Sequence, residues 1–464
     1  MKQTAQNTPR VLVNQFSVYY LGALLPVLFA YYATSYYEHA ESLLPLFFVE
    51  WTLVVVVFYF LCPWLGKKGV LYAAVVVLLS LCVSAIVVHE SFVTYGTLWT
   101  GSDDWRYLSD AGCVMDSLLS SGWNLSGVWA ELILSWDIAW AQAGWPFLLG
   151  LVSSCVTSDS SPEILHAVAL SLNATFLALV LALVYHVLHE PAQRFPRMVL
   201  VCFLLMIGSP IVYAGQCLKE SMLQLSLMLS FVFCVKLSKR IQVQWIILGL
   251  LGITGVLTTR VAYIPLILFV LYWMVLDRMR MGTVLKVVLG LVLCALFWRM
   301  IYGFQIGGYT VGEVMGGVTL EAESGLAMFI YNIPLVGPIL YYAISPVPPL
   351  PWKILSHDQI VTTLIQGAGS VAWFFAVCYV LRGIVRNRLL LKNKLFVAAA
   401  IMFVGIFIAV VLRGNDPRYK QPTNFYLSIM LFVTWYDSRT RRSSRRLPVP
   451  GDSKRNISSW VNVE

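Results

Sequence analysis

The sequence predicts an all-α polytopic membrane helix bundle, and three observations predict it. Of 464 residues, 59% are hydrophobic and 12% charged, against about 25% charged in an ordinary soluble domain. Apolar runs of about 20 residues, the length that crosses a bilayer as a helix, recur throughout the chain. They begin with VLVNQFSVYYLGALLPVLFAYYA and end with TNFYLSIMLFVTWYD. The net charge of +9 falls in short clusters between those runs and in the tail. No basic groove with interleaved aromatics is formed, which excludes nucleic acid as a partner and makes the clusters topology signals.

The elements follow in order from those clusters. GKKG (66–69), HEPAQRFPR (189–197), KLSKR (236–240), LDRMRMGTVLK (276–286), RGIVRNRLLLKNK (382–394) and SRTRRSSRRLP (438–448) are placed in the cytoplasm by the positive-inside rule. Alternation then gives about twelve spans, near 11–33, 43–63, 69–88, 162–187, 198–214, 221–236, 243–258, 261–276, 283–299, 359–381, 395–412 and 422–436. Both termini are cytoplasmic, and the expected location is a bacterial inner membrane. Residues 1–436 form a single bundle, and residues 437–464 form a basic tail that meets anionic headgroups. Two long loops, 89–161 and 300–357, are extracytoplasmic. Within the first, AGWPFLLGLVSSCV (143–156) is short for a span and is expected on or dipping into the outer surface. Within the second, 326–352 carries prolines and reads as bent or re-entrant, and the Gly-rich 300–325 segment as a mobile loop over the site.

None of the nine cysteines forms a CxxC or a Cys/His metal spacing. Cys113 and Cys155 fall on the outer side, where a bridge between them is one reading. Glu50 lies in an apolar run, and His166 and His186 flank another. Interhelical hydrogen bonds are the expectation for all three.

The chemistry concentrates in GTLWTGSDDWRYLSDAG, residues 97–113, which places Asp103, Asp104 and Asp110 beside Trp99, Trp105 and Tyr107. These aromatics are expected at headgroup depth. A helix starting near Ser102 puts Asp103, Tyr107 and Asp110 on one face with Asp104 pointing elsewhere, and lets Arg106 reach Asp103 or Asp110. One reading is an acidic first turn that complements the helix dipole; the other is a general base for a hydroxyl at the lipid boundary.

Other outward connections bring cations to the same side. They are Lys219 with Glu220 in YAGQCLKES, Arg260 in TTRVAYIP, and Arg413, Arg418 and Lys420, with Tyr419, in RGNDPRYKQP. Taken singly each is an interfacial anchor, and together they suit a phosphate or diphosphate. A carboxylate base beside such a cradle fits sugar transfer from a polyprenyl phosphate, whose phosphate is already a competent leaving group.

At these residues the chain resembles the GT-C superfamily of integral-membrane glycosyltransferases. GSDDWRYLSDAG is similar to the acidic pair of that family's first large outer loop, SPIVYAGQCLKES to its Lys-acid stretch, and DPRYKQP to an Arg-Tyr-basic-x-Pro element before the last span, also found in some polysaccharide polymerases. The resemblance implies Asp103 or Asp104 as base and Lys219, Arg260, Arg418 and Lys420 as contacts for the lipid phosphate, with Arg106, Glu220, Arg413 and Tyr419 completing the substrate-binding set. It implies a polyprenyl-phosphate sugar donor and a glycan or glycolipid acceptor among membrane lipids. Two features differ from the family pattern: the acidic pair follows three candidate spans, and no large soluble C-terminal domain is present. A divalent metal at Asp103 or Asp104 is conceivable but has no identifiable third ligand. The alternatives are a polymerase or ligase of polyprenyl-diphosphate-linked repeat units, a transporter or flippase of an anionic glycolipid, and a non-catalytic assembly subunit.

Overall fold

A computed structural model of the chain describes residues 43–62, 67–97, 102–134, 142–188, 210–237, 242–276, 284–285, 287–292, 295, 305–306, 309–310, 360–413 and 420–446. The principal helices are α1 (Leu44–Leu61), α2 (Lys67–Tyr95), α3 (Ser102–Ser120), α4 (Leu125–Leu134), α5 (Gly144–Ser154), α6 (Pro162–Val187), α7 (Glu220–Leu237), α8 (Val243–Arg260), α9 (Ile264–Leu276), α10 (Ile360–Arg386), α11 (Lys394–Arg413) and α12 (Pro422–Arg446). The described strand structure is one antiparallel ladder pairing Gln305 with Thr310 and Ile306 with Tyr309.

Among the described residues, six stretches are long and apolar enough to cross a membrane: Leu44–Leu61, Gly69–Tyr95, Pro162–Val187, Glu220–Leu237, Val243–Met274 and Ile360–Arg386. They make this chain a helical membrane protein. The stretch Val243–Met274 covers two of the expected spans. Arg260 there adopts φ −163° and ψ 81°, and a single 3-10 turn, Val261–Tyr263, leads into α9. The expected span at 11–33 lies outside the described residues, as do most of that at 198–214, about half of that at 283–299 and the expected features of 311–357. Helix α12 runs on from its apolar half through the first basic residues of the tail to Arg446.

Helix α6 forms the middle of the described bundle, buried along most of its length and packed against α1, α2, α3, α5 and α7. Polar groups inside the spans are met by neighbouring helices, as an apolar surrounding demands. Glu50 of α1 is buried and accepts from Ser171 Oγ at 3.3 Å and Thr175 Oγ1 at 3.5 Å, both on α6. His186 Nδ1 lies 2.8 Å from the Leu61 carbonyl and its ring stacks on Trp245. His166 is buried in α6.

Two contacts hold the far helices. The first-turn N–H groups of a helix have no partner within it, and for α10 the carboxylate of Glu90, on α2, supplies one. Val361 N donates to Glu90 Oε1 at 2.9 Å, and Thr362 Oγ1 donates to Oε2 at 2.6 Å. At the other end of α10, Asn387 Nδ2 donates to Asp437 of α12. Between them, Trp373 stacks on Phe403 and Phe407 of α11.

The tightest approach joins α7 and α8. Gly249, Gly252 and Gly255 recur every three residues on α8 and face Phe233, Ser230 and Ser226 of α7; a Cβ on Gly252 would sit 2.8 Å from the Ser226 carbonyl oxygen and the Ser230 amide nitrogen. Small residues let two backbones approach where side chains would hold them apart. Gly252→Leu is therefore expected to push α8 off α7. Size-exclusion profiles of the detergent-purified protein should show loss of the monodisperse peak, whereas Leu250→Ala, at an exposed position of the same helix, should keep it.

Candidate functional site

Helix α3 begins at Ser102, as its sequence leads one to expect, but it presents a different face from the expected one. Asp104, Tyr107, Leu108, Ala111, Met115 and Leu118 are buried, spaced by three and four residues as one helical stripe requires. Asp103 and Arg106 point away, their side chains 39% and 49% exposed, paired at 3.9 Å. The expected grouping of Asp103 with Tyr107 is thus corrected: it is Asp104 that shares a face with Tyr107. The reason is the apolar stripe, which turns Asp104 inward and buries Tyr107, while Trp105 stays exposed. Arg106 also donates to Gln142 Oε1 at 2.9 Å. Asp110, on the flank, is half-buried, and this desolvation pushes its carboxyl up to about 6 despite the nearby Arg106.

Helix α5, 11 residues long, is too short to span and packs on α3. Gly150 makes that contact, since a Cβ there would come within 2.6 Å of the Ala111 carbonyl oxygen. Trp145 of α5 is fully buried and donates Nε1 to the Cys217 carbonyl at 3.4 Å. Asn173 of α6 grips the same turn, donating Nδ2 to the carbonyls of Gln216 at 2.8 Å and Leu218 at 3.4 Å.

The turn 215–219 is thereby held over α3 and leads into α7 with Lys219 and Glu220. Lys219 Nζ lies 5.7 Å from the centroid of the Tyr107 ring. Burial, and then the charge of Asp104 beside it, push the Cys217 thiol well above its ordinary range. Asp104, Tyr107, Cys217 and Lys219 form one neighbourhood. The α7–α8 register brings Arg260 to the same end of the bundle: Gly252 faces Ser230 and Gly255 faces Ser226, so antiparallel continuation puts Arg260 level with the first turn of α7. Gln224, one turn below Glu220, donates Nε2 to Gln421 Oε1 at 3.2 Å, and this joins α7 to the start of α12. There Lys420 Nζ stands 4.2 Å from the centroid of the Trp373 ring, and Trp373 Nε1 donates to Thr423 Oγ1 at 3.0 Å. Burial pushes the Lys420 ammonium down to about 7.

Five of the residues singled out in the sequence therefore converge at one end of the bundle and are nearly withdrawn from solvent: Asp104 (2% exposed), Lys219 (5%), Glu220 (3%), Arg260 (7%) and Lys420 (5%). Asp103 and Arg106 stay on the outside. Arg413 ends α11, and its side chain lies outside the described residues, as do Arg418 and Tyr419. The sequence reading passed over Tyr107 as a core residue, as well as Trp145, Asn173, Gln224, Trp373 and Gln421. Two of these carried a signal: Asn173 is an amide within an apolar run, and Gln421 belongs to the DPRYKQP motif.

Among the described residues no group of three or more His, Cys, Asp and Glu side chains is placed to hold a metal ion. Around Asp104 the described groups are Lys219, the Cys217 thiol and, at the start of α7, Glu220, fewer oxygen ligands than the roughly six that a hard divalent cation takes. Cys113 and Cys155 are both free thiols, so the bridge between them is not formed.

No protein-family model, no curated protein and no solved structure matches this chain.

The position of Asp110 generates a pH-dependent expectation. Burial holds its carboxyl at about 6, above the ordinary aspartate range, so its protonation favours the fold in acid and that contribution is lost as the pH rises through about 6. Asp110→Asn is expected to raise the thermal midpoint by a few degrees at pH 7 to 8. The gain should shrink towards zero below pH 4; an equal gain at both pH values would count against the desolvated carboxyl.

Proposed function

We propose that this chain is a GT-C-like membrane glycosyltransferase, moving a sugar from a polyprenyl-phosphate-linked donor to a glycan or glycolipid acceptor. The observation that carries the reading is the burial of Asp104 near Lys219, at the end of the bundle where Glu220, Arg260 and Lys420 are also buried. A lone acid turn serving only a helix dipole has no need of inward cations from three other elements.

In this reading Asp104 accepts the proton of the attacking acceptor hydroxyl. The hydroxyl oxygen bonds to the anomeric carbon, and the bond from that carbon to the phosphate oxygen breaks. The negative charge gathering on the departing lipid phosphate is met by Lys219, Arg260 and Lys420, held in place before the reaction begins. Asp103, exposed and paired with Arg106, is left as a surface residue. Proposed with this chemistry are about twelve spans, cytoplasmic termini, and an active end facing away from the cytoplasm in a bacterial inner membrane. A polymerase of diphosphate-linked repeat units uses the same groups and differs in leaving group and product length.

Mass spectrometry of polyprenyl-linked and surface glycans tests the reading in cells carrying the native gene, a deletion, Asp103→Asn or Asp104→Asn at matched protein levels. Asp104→Asn is expected to reproduce the deletion and Asp103→Asn to resemble the native gene. Loss of one sugar per glycan marks a monosaccharide transferase, and collapse of long chains to single units marks the polymerase. Glycans left intact by Asp104→Asn but altered by the deletion would sink the proposed base and bring the transport reading forward.

Lys420 adds a pH signature. It is charged only below about pH 7, so donor affinity is expected to fall as the pH rises through that value. Lys420→Arg, whose guanidinium stays protonated, should remove this decline in binding measured from pH 6 to 9.

A further inference from the structure

The amide pair at the junction of α7 and α12 has hydrogen-bonding capacity that its own contact does not use. Each glutamine side chain offers one carbonyl acceptor and one NH₂ donor. One bond joins them, from Gln224 Nε2 to Gln421 Oε1 at 3.2 Å. This leaves Gln224 Oε1 and Gln421 Nε2, buried in residues 2% exposed and without a hydrogen-bond partner among the described residues. An unmet amide in such surroundings is costly, and two apolar side chains of similar shape would avoid the cost.

The chemistry of the two remaining atoms restricts what completes them. They are an acceptor and a donor on bonded neighbours. A phosphate oxygen only accepts and an ammonium only donates, whereas a hydroxyl does both. The pair also has a defined place: Gln421 directly follows Lys420, and Gln224 sits one helical turn from Glu220. A ligand with an anionic group at Lys420 and hydroxyls next to it has the composition of a glycosyl phosphate.

We infer that Gln224 and Gln421 bind a hydroxyl of the donor's sugar, an inference that rests on the glycosyltransferase reading above. The hydroxyl donates to Gln224 Oε1 and accepts from Gln421 Nε2. Lys420 holds the phosphate in common with every donor, and the amide pair separates a glycosylated lipid phosphate from a bare one.

The test uses the full chain in detergent and soluble short-chain probes: farnesyl phosphate and its glucosyl, galactosyl, mannosyl and arabinosyl esters, with dissociation constants measured for each. The native protein is expected to bind at least one ester about tenfold or more tightly than farnesyl phosphate, as a site built to pair a hydroxyl does. In the double variant Gln224→Leu, Gln421→Leu that preference should vanish while farnesyl phosphate binds as before. Should the double variant lose its monodisperse peak, Gln421→Glu removes the NH₂ donor while keeping an oxygen for Gln224 Nε2, and carries the same comparison. A sugar preference that survives either substitution overturns the inference and leaves the amides to an ordered water. A native protein that binds farnesyl phosphate but prefers no ester overturns it as well, with the phosphate site intact. If farnesyl phosphate itself does not bind, the glycosyltransferase reading falls and takes the inference with it.

Discussion

The close approach of α7 and α8 is the contact on which the charged end of the molecule depends. Glycines at 249, 252 and 255 remove the side chains that would keep α8 at an ordinary distance, and Ser226 and Ser230 do the same from α7. The register set there is rigid because it is backbone against side chain and backbone against backbone. It decides where Arg260 arrives, and α7 simultaneously decides where Glu220 and Gln224 stand. The rest of the cluster is tied to that helix: the preceding turn is held by Trp145 and Asn173, and α12 by the bond between the two glutamines.

Withdrawing ionisable groups from water is expensive unless the surroundings answer them. Two cations of this end are answered by ring faces, Lys219 by Tyr107 and Lys420 by Trp373, a contact that stabilises a cation without neutralising it. Burial pushes the Lys420 ammonium down, so a further negative charge beside it would favour its charged form.

Much of this was legible in the sequence, for reasons that differ by element. Span positions follow from length and composition alone, so α1, α6, α7 and α10 lie within a few residues of their expected limits. The start of α3 at Ser102 and the convergence of Lys219, Arg260 and Lys420 with an aspartate were readable from cations placed at apolar helix ends. Which aspartate turns inward was readable too, had the stripe from Tyr107 through Leu118 been followed further along the helix. What the sequence hides is contact between distant segments. Glu90 is 271 positions from Val361, and Gln224 is 197 from Gln421; no periodicity within either segment announces its partner. The break at Arg260, by contrast, was readable: the spans expected at 243–258 and 261–276 part at TTR, where the chain leaves α8.

The placement of polar groups along the described spans bears on transfer against transport. A transporter gathers its polar and ionisable groups near the midplane, often at broken helices. Here Glu50, the acid inside α1, is engaged by two hydroxyls of α6, and His186 by the Leu61 carbonyl, each a local interhelical bond. The cluster at the helix ends differs in kind. Lys219 and Lys420 lie over rings, its two glutamines keep a donor and an acceptor beyond their mutual bond, and its aspartate comes from a helix that does not span. Buried charge is thus concentrated at the helix ends, while the spans themselves hold mainly small polar groups, some of them, such as Trp51 Nε1, Ser80 Oγ and Ser370 Oγ, without a hydrogen-bond partner among the described residues. The proposed headgroup chemistry would use charge at helix ends, whereas the transport reading would call for it near the midplane.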